Sequence, residues 1–158
     1  ARLHVDAFPS RPSRGQRLLR VFTNLNPRGE PRVWRVGEPF EDFARRHVDA
    51  IGRPLPGSAW AMNALGITKR RRSAYDHYML QLHDRGKADM DWQRDSPQVT
   101  VGFEPGQTWV VDSDQVLHAV MSGQFMMEMT FLLEPEDLLV PQSSPLRVLE
   151  RLTGRALL

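Results

Sequence analysis

His4-Val5-Asp6, read together with His118, constrains this chain more than any other feature. Successive side chains along a strand point to opposite sides, so residues i and i+2 share one. His4 and Asp6 can therefore reach a single point if their segment is extended. His118 reaches the same point only if its own strand, distant in sequence, lies beside the first. The chain must then build a sheet with long-range pairing. Two imidazoles and one carboxylate are the donor set of a facial non-heme iron site, which leaves coordination positions open for a co-substrate and dioxygen. The triplet alone is weak, because His-x-Asp arises by chance in roughly one chain in five of this length. A surface histidine before a turn is the plain alternative, so the neighbouring residues decide.

Residues 7–15 read as a loop from their Pro and Gly content. Residues 16–26 follow as a strand rich in β-branched and aromatic side chains, ended by Asn26-Pro27. Leu19, Val21, Thr23 and Leu25 make one face; Leu18, Arg20, Phe22 and Asn24 make the other. An arginine between Leu18 and Phe22 is costly to bury without an anionic partner. A bound dicarboxylate would serve, since a guanidinium fork matches a carboxylate. A protein carboxylate, or escape of the guanidinium to the sheet edge, is the alternative.

Around His118 the chain alternates short strands with turns. Residues 106–111 read as a strand, Asp112-Ser113-Asp114 as a turn, 115–120 as a second strand, Ser122-Gly123 as a turn, and 125–133 as a third strand. This is the pattern of a small antiparallel barrel or jelly roll, with His118 at a strand end near its mouth. A core histidine without a metal is the competing reading of His118 taken singly.

The middle of the chain is helical. Glu38-Pro39-Phe40 opens a segment to about residue 51, with Phe40, Phe43, His47 and Ile51 on one face. A short helix is expected over residues 58–65, stopped by Gly66, and a clearer one over 73–84 with Ser73 as N-cap. Tyr75, Met79 and Leu82 share a face of it; His77 and His83 lack the spacing of a helical metal pair. Residues 86–93 read as a polar connection to a strand at 99–103, and 144–158 as a short amphipathic packing or dimer helix. The expectation is one mainly β domain over 1–158, with barrel strands at about 1–36 and 97–134, a helical insertion at about 38–90 and a C-terminal helix at about 145–154. Because the chain opens almost on its metal motif, we expect it to be the C-terminal part of a longer protein.

With 158 residues there is enough chain for one real core, and without cysteine there is no disulfide framework or thiolate metal site. No apolar run suits a transmembrane helix. The formal charge is +2, unevenly spread: 19 of the 21 basic residues are Arg, residues 1–53 hold eleven Arg against six acids, and residues 96–146 hold seven acids and no base. The basic half suits an anionic substrate or membrane surface. Arg11, Arg14 and Lys69-Arg70-Arg71-Arg72 are the candidates for anionic groups, with a solvated charge run as the plain reading of each alone. No nucleic-acid motif or stacking platform is present.

Taken together, His4-Val5-Asp6-Ala7-Phe8-Pro9-Ser10-Arg11-Pro12, Leu19-Arg20-Val21-Phe22-Thr23-Asn24-Leu25-Asn26-Pro27, Tyr75-Asp76-His77-Tyr78-Met79-Leu80-Gln81-Leu82-His83-Asp84, residues 113–118 and Met121-Ser122-Gly123-Gln124 resemble the Fe(II)/2-oxoglutarate-dependent dioxygenases. More closely, they resemble the Kdo hydroxylases, which hydroxylate the 3-deoxy-D-manno-oct-2-ulosonic acid (Kdo) sugar on bacterial lipid A. The resemblance spans nearly the whole chain. It implies a double-stranded β-helix (jelly roll, cupin-like) with His4, Asp6 and His118 as iron ligands and catalytic centre. It also implies Fe(II), 2-oxoglutarate and O2 as cofactor and co-substrates. The reaction would be ferryl hydrogen abstraction and hydroxyl rebound at carbon 3 of Kdo, with release of succinate and CO2.

Many members of the wider superfamily carry an Arg or Lys nine or ten residues after the second histidine to hold 2-oxoglutarate. Here those positions are Met127 and Glu128. Arg20 is the expected substitute, with Asn24 on the same face as a helper and Arg17, near the strand start, as the alternative cation. The implied partner is Kdo-bearing lipid A, and the implied location is cytoplasmic, peripheral on the inner face of the inner membrane. The same chemistry on another substrate, or a non-catalytic cupin-like metal or sugar-binding module, are the rival readings.

Overall fold

The computed structural model describes all 158 residues. Six strands form two antiparallel sheets of three. Strand β1 (Arg17–Asn24) is flanked by β4 (Thr108–Asp112) and β6 (Met126–Leu133); β2 (Arg32–Val36) is flanked by β3 (Val99–Phe103) and β5 (His118–Ser122). The sheets face each other through aromatic side chains. Phe22 and Trp109 on the first meet Trp34 and Phe103 on the second, with Phe22–Trp34 centroids 5.2 Å apart and Phe103 stacked on Trp109 at 3.9 Å. The Leu18, Arg20, Phe22 and Asn24 face of β1 is thus the inner one, as its alternation predicts.

The second layer is helical: α1 (Phe40–His47), α2 (Ser58–Ala64), α3 (Ala74–Ala88), α4 (Met90–Asp95) and α5 (Pro145–Thr153). The apolar core lies mainly between these helices and the backs of β5 and the N-terminal segment. Phe40, Phe43, Tyr75, Leu82, Leu146 and Leu149 meet Leu3, Val5, Leu117 and Ala119 there. The helix expected over 73–84 forms behind a capping box, with Ser73 Oγ accepting from Asp76 N and the Asp76 carboxylate accepting from Ser73 N. The C-terminal helix packs into this core through Leu146, Val148 and Leu149. None of the helices is long and apolar enough to cross a membrane.

Two expectations are corrected. Residues 86–93 are not a polar connection: α3 runs on to Ala88, and Asp89 then caps α4 by accepting from Trp92 N at 2.9 Å. The segment around His4 is no regular strand but a single backbone bridge to His118, because Asp6 already pairs elsewhere, with Ser113.

Candidate active site

The N-terminal segment is gripped by backbone at both metal-motif residues. His4 N donates to His118 O at 3.1 Å, His118 N donates to His4 O at 2.9 Å, and Asp6 N donates to Ser113 O at 2.8 Å. Leu3 and Val5 are fully buried in the helical core, which turns His4 and Asp6 to the opposite side. Leu117, just before β5, and Ala119 on it enter the same core, and His118 is turned inward, stacked on Trp34 with centroids 5.0 Å apart. The three expected ligands therefore converge. His4 Nε2 and His118 Nε2 lie 3.6 and 3.9 Å from Asp6 Oδ1, and the three donor atoms all lie within 4.8 Å of one another.

Both imidazoles are prepared for a metal. His4 Nδ1 is 2.9 Å from Arg2 O, and His118 Nδ1 is 2.8 Å from Val116 O. A carbonyl only accepts, so each Nδ1 carries the proton and each Nε2 offers its lone pair to the shared space. Burial is the main cause that holds the His4 pKa down, to about 4, with His118 adding to the shift. Burial also lowers His118, against the pull of Asp6. Both rings are neutral at pH 7, the form that binds a cation.

Arg20 meets this centre from β1. Its Nη1 donates to Asp6 Oδ2 at 2.5 Å and its Nη2 donates to Glu128 on β6. Asp6 is thereby divided, one oxygen for the imidazoles and one for the guanidinium. The anionic partners that a buried Arg20 requires are, in this structure, protein carboxylates, and its Nε remains buried without an acceptor. Glu128 occupies one of the positions where many superfamily members carry their cation, and here it holds the cation from across the sheet.

The two other residues expected near the co-substrate have partners within the protein. Arg17 is paired within the protein: its Nε donates to Asp114 at 2.8 Å, its Nη2 donates to Gln115 Oε1 at 2.8 Å, and Asp112 lies 3.2 Å from Nη2. Asn24 is spent on backbone, with Nδ2 donating to Glu30 O and Phe103 O and Oδ1 accepting from Asn26 N. Both side chains are thus held by the protein itself.

Residues not singled out from the sequence complete the site. Trp34 is 2 % exposed, and its Nε1 is buried with no acceptor. Arg32, two residues back on β2, also has an unmet buried Nε, but its Nη1 donates to Gly123 O, beyond the far end of β5 from His118. Burial lowers the Arg32 pKa. The pattern Arg32-x-Trp34 repeats the Arg20-x-Phe22 pattern of β1, and that was the available signal. His83, on α3, stands edge-on to His4 with centroids 5.4 Å apart, its Nε2 2.9 Å from Lys87 Nζ.

A mixed imidazole–carboxylate triad beside two antiparallel sheets is the donor set that defines the mononuclear non-heme iron class. Within that class, the chain belongs to the 3-deoxy-D-manno-oct-2-ulosonic acid (Kdo) hydroxylase family, whose sequence profile it matches over residues 1–156. It is similar to crystal structures of the Kdo hydroxylase KdoO, a non-heme Fe(II) α-ketoglutarate-dependent dioxygenase. Against the complex with α-ketoglutarate and Fe(III) the TM-score is 0.98, at 52% identity over 99% of this chain. Against the complex with succinate and Fe(III), and against the apo form, it is 0.97 at the same identity and coverage. The chain spans about half the length of these relatives, 53% of each. Comparison with curated proteins finds no match.

Proposed function

We infer that this chain carries the iron and 2-oxoglutarate site of an oxygenase that hydroxylates carbon 3 of a Kdo sugar on lipid A. We also read its facing sheets as the halves of a double-stranded β-helix. The observation that carries the reading is the divided carboxylate of Asp6, shared between two neutral imidazoles and Arg20, beside two buried donors without acceptors, Arg20 Nε and Trp34 Nε1. Buried donors are usually satisfied in folded proteins, and an oxygen-rich anion bound beside the triad would satisfy these two. The triad suits iron(II), and the donors suit the distal carboxylate of 2-oxoglutarate. Relatives crystallised with Fe(III), α-ketoglutarate, succinate and cobalt(II) support the same pair of ligands.

Iron(II), 2-oxoglutarate and O2 bound there would convert a C–H bond of the acceptor to C–OH, one oxygen atom going to the product and one to succinate, with loss of CO2. The residues of the chain orient and protect that chemistry. The carbonyls of Arg2 and Val116 fix the ring planes of His4 and His118 through Nδ1. Arg20 fixes Asp6, and its unmet Nε–H would be available to the co-substrate. Phe22, Trp34 and Trp109 form an apolar wall that keeps water from the reacting C–H bond. The lipid-linked acceptor implies peripheral contact with a membrane surface, at the cytoplasmic face of the inner membrane.

The test is 2-oxoglutarate turnover by the full-length protein, loaded anaerobically with Fe(II) and then exposed to air, with and without Kdo-bearing lipid A. Stimulated succinate formation together with a gain of one oxygen on the Kdo sugar supports the reading. Succinate without lipid oxidation retains the reaction class and rejects the acceptor. Neither signal, from a folded protein that binds iron, favours a non-catalytic metal or sugar-binding module.

A further inference from the structure

A second cleft, of about 350 Å³, opens beside the triad and belongs to neither the metal nor the co-substrate donors. Its cations are Arg11, Lys69 and Arg70, its hydroxyls Ser13 and Thr130, and its apolar wall includes Phe8; no acidic residue lines it. None of the three cations forms an ion pair, in a chain where Arg17, Arg20, Arg45, Arg46, Arg94, Arg147 and Arg151 all do. Phe8 stands two residues beyond Asp6, and Thr130 lies directly opposite Arg20 in the β1–β6 register. The cleft and the triad therefore share one side of the sheet.

The two loops that bear the cations are fastened together. Lys69 N donates to Ser10 O at 2.9 Å, and Arg72 Nη2 donates to Pro9 O at 2.6 Å. The buried carboxylate of Asp76 accepts from Arg14 N at 3.0 Å through Oδ1 and from Ser73 N at 2.8 Å through Oδ2, which ties the first loop to the start of α3. Arg14 adopts φ 53, a left-handed conformation costly for a side-chain-bearing residue and held here by that bond. Cations on a fastened frame lose less conformational freedom on binding than cations on free loops.

We propose that this cleft is the acceptor's anion subsite, in which Arg11, Lys69 and Arg70 grip an oxyanion of an acidic sugar and so set its distance from the metal. The identity of the acceptor as a Kdo lipid rests on the function inferred above; the cation cluster and its frame do not. Unpaired cations supply charge-assisted hydrogen bonds, Ser13 and Thr130 match sugar hydroxyls, and Phe8 covers an apolar ring face. The oxyanion has two possible sources, the carboxylate of Kdo and a phosphate of its lipid anchor.

The experiment is steady-state kinetics of the full-length iron-loaded enzyme and its Arg11→Gln/Lys69→Gln/Arg70→Gln variant on Kdo-bearing lipid A. KM for the lipid should rise by about tenfold or more, with kcat and KM for 2-oxoglutarate changing far less. An unchanged lipid KM in the active variant overturns the subsite. Lipid with its phosphates removed separates the sources: a penalty that vanishes assigns the oxyanion to phosphate, and one that persists assigns it to the Kdo carboxylate. If the triple variant does not fold, the three single exchanges replace it, each expected to raise lipid KM two- to threefold, roughly. If the wild-type enzyme leaves the Kdo sugar unoxidised, the inferred function fails, and the cleft is judged on binding alone. Titration of the same lipid in neutral detergent micelles must then show weaker binding by the variant, and equal affinity overturns the proposal.

Discussion

Gln93 holds the backbone of Leu3 from both sides. Leu3 N donates to Gln93 Oε1 at 2.8 Å, and Gln93 Nε2 donates to Leu3 O at 2.8 Å. A side-chain amide on α4 thus stands in for a neighbouring strand, immediately before His4. Gln93 Nε2 also donates to Gly86 O at 2.8 Å, which fastens the arrangement to α3. Replacing Gln93 by Ala leaves these buried groups unmet, at a cost of about 2–4 kcal/mol in urea unfolding. Cobalt(II) affinity, followed by its absorption bands, should fall alongside, because His4 loses its anchor. An unchanged affinity would detach α4 from the site.

Arg20→Gln separates two tasks of one guanidinium. Loss of the fork should raise KM for 2-oxoglutarate by more than about thirtyfold. Metal affinity should fall only several-fold, since both imidazoles and Asp6 remain. Parallel titrations with 2-oxoglutarate and cobalt(II) read the two effects separately. His118→Ala, by contrast, should abolish tight cobalt(II) binding.

The Arg17–Asp114 pair is nearly inaccessible, with side-chain exposures of 1% and 2%. Asp114→Ala would strand a buried guanidinium, although Asp112 and Gln115 still face it, and should cost about 3–5 kcal/mol. Replacing both partners by apolar residues of similar size should cost much less than the sum of the single changes. A double-mutant cycle in urea tests this, and strict additivity would show that the two side chains do not act as a pair.

His47 provides a pH signature away from the metal. Its ring packs on Phe43 at 4.8 Å, its Nε2 is buried without a partner, and burial lowers its pKa below the ordinary 6.5. On acidification the unfolded chain takes up this proton before the folded one. The stabilisation is therefore complete above about pH 6.5 and is lost as pH falls from there through the folded value. A ring titration by NMR should give a midpoint below 6.5, and His47→Gln should flatten the acid side of the stability profile.

The convergence of His4, Asp6 and His118 was legible because alternation along an extended segment puts residues i and i+2 on one side, and the single bridge to His118 is enough to keep that alternation. The amphipathic faces of α1 and α3 were legible through Phe40, Phe43, Tyr75 and Leu82 for the same periodic reason. The short helix α4 was not, since six residues carry too little periodicity and its signal was a single capping aspartate, Asp89. The interior positions of Arg32 and Trp34 were hidden because polar and indole side chains on a short strand resemble a solvent face until the opposing sheet is known. The Arg20–Glu128 pairing depends on β6 lying beside β1, which no local pattern encodes.

The paired backbone bonds between His4 and His118 also bear on the order of events in folding. Before β5 is laid against the N-terminal segment, a nascent chain offers a cation only the two ligands of His4 and Asp6. The third arrives with one of the longest loop closures in the molecule, a step that low-contact-order segments precede. If the triad takes iron, tight capture would then be a certificate of this closure: molecules in which His118 has not yet docked would hold the redox-active ion poorly.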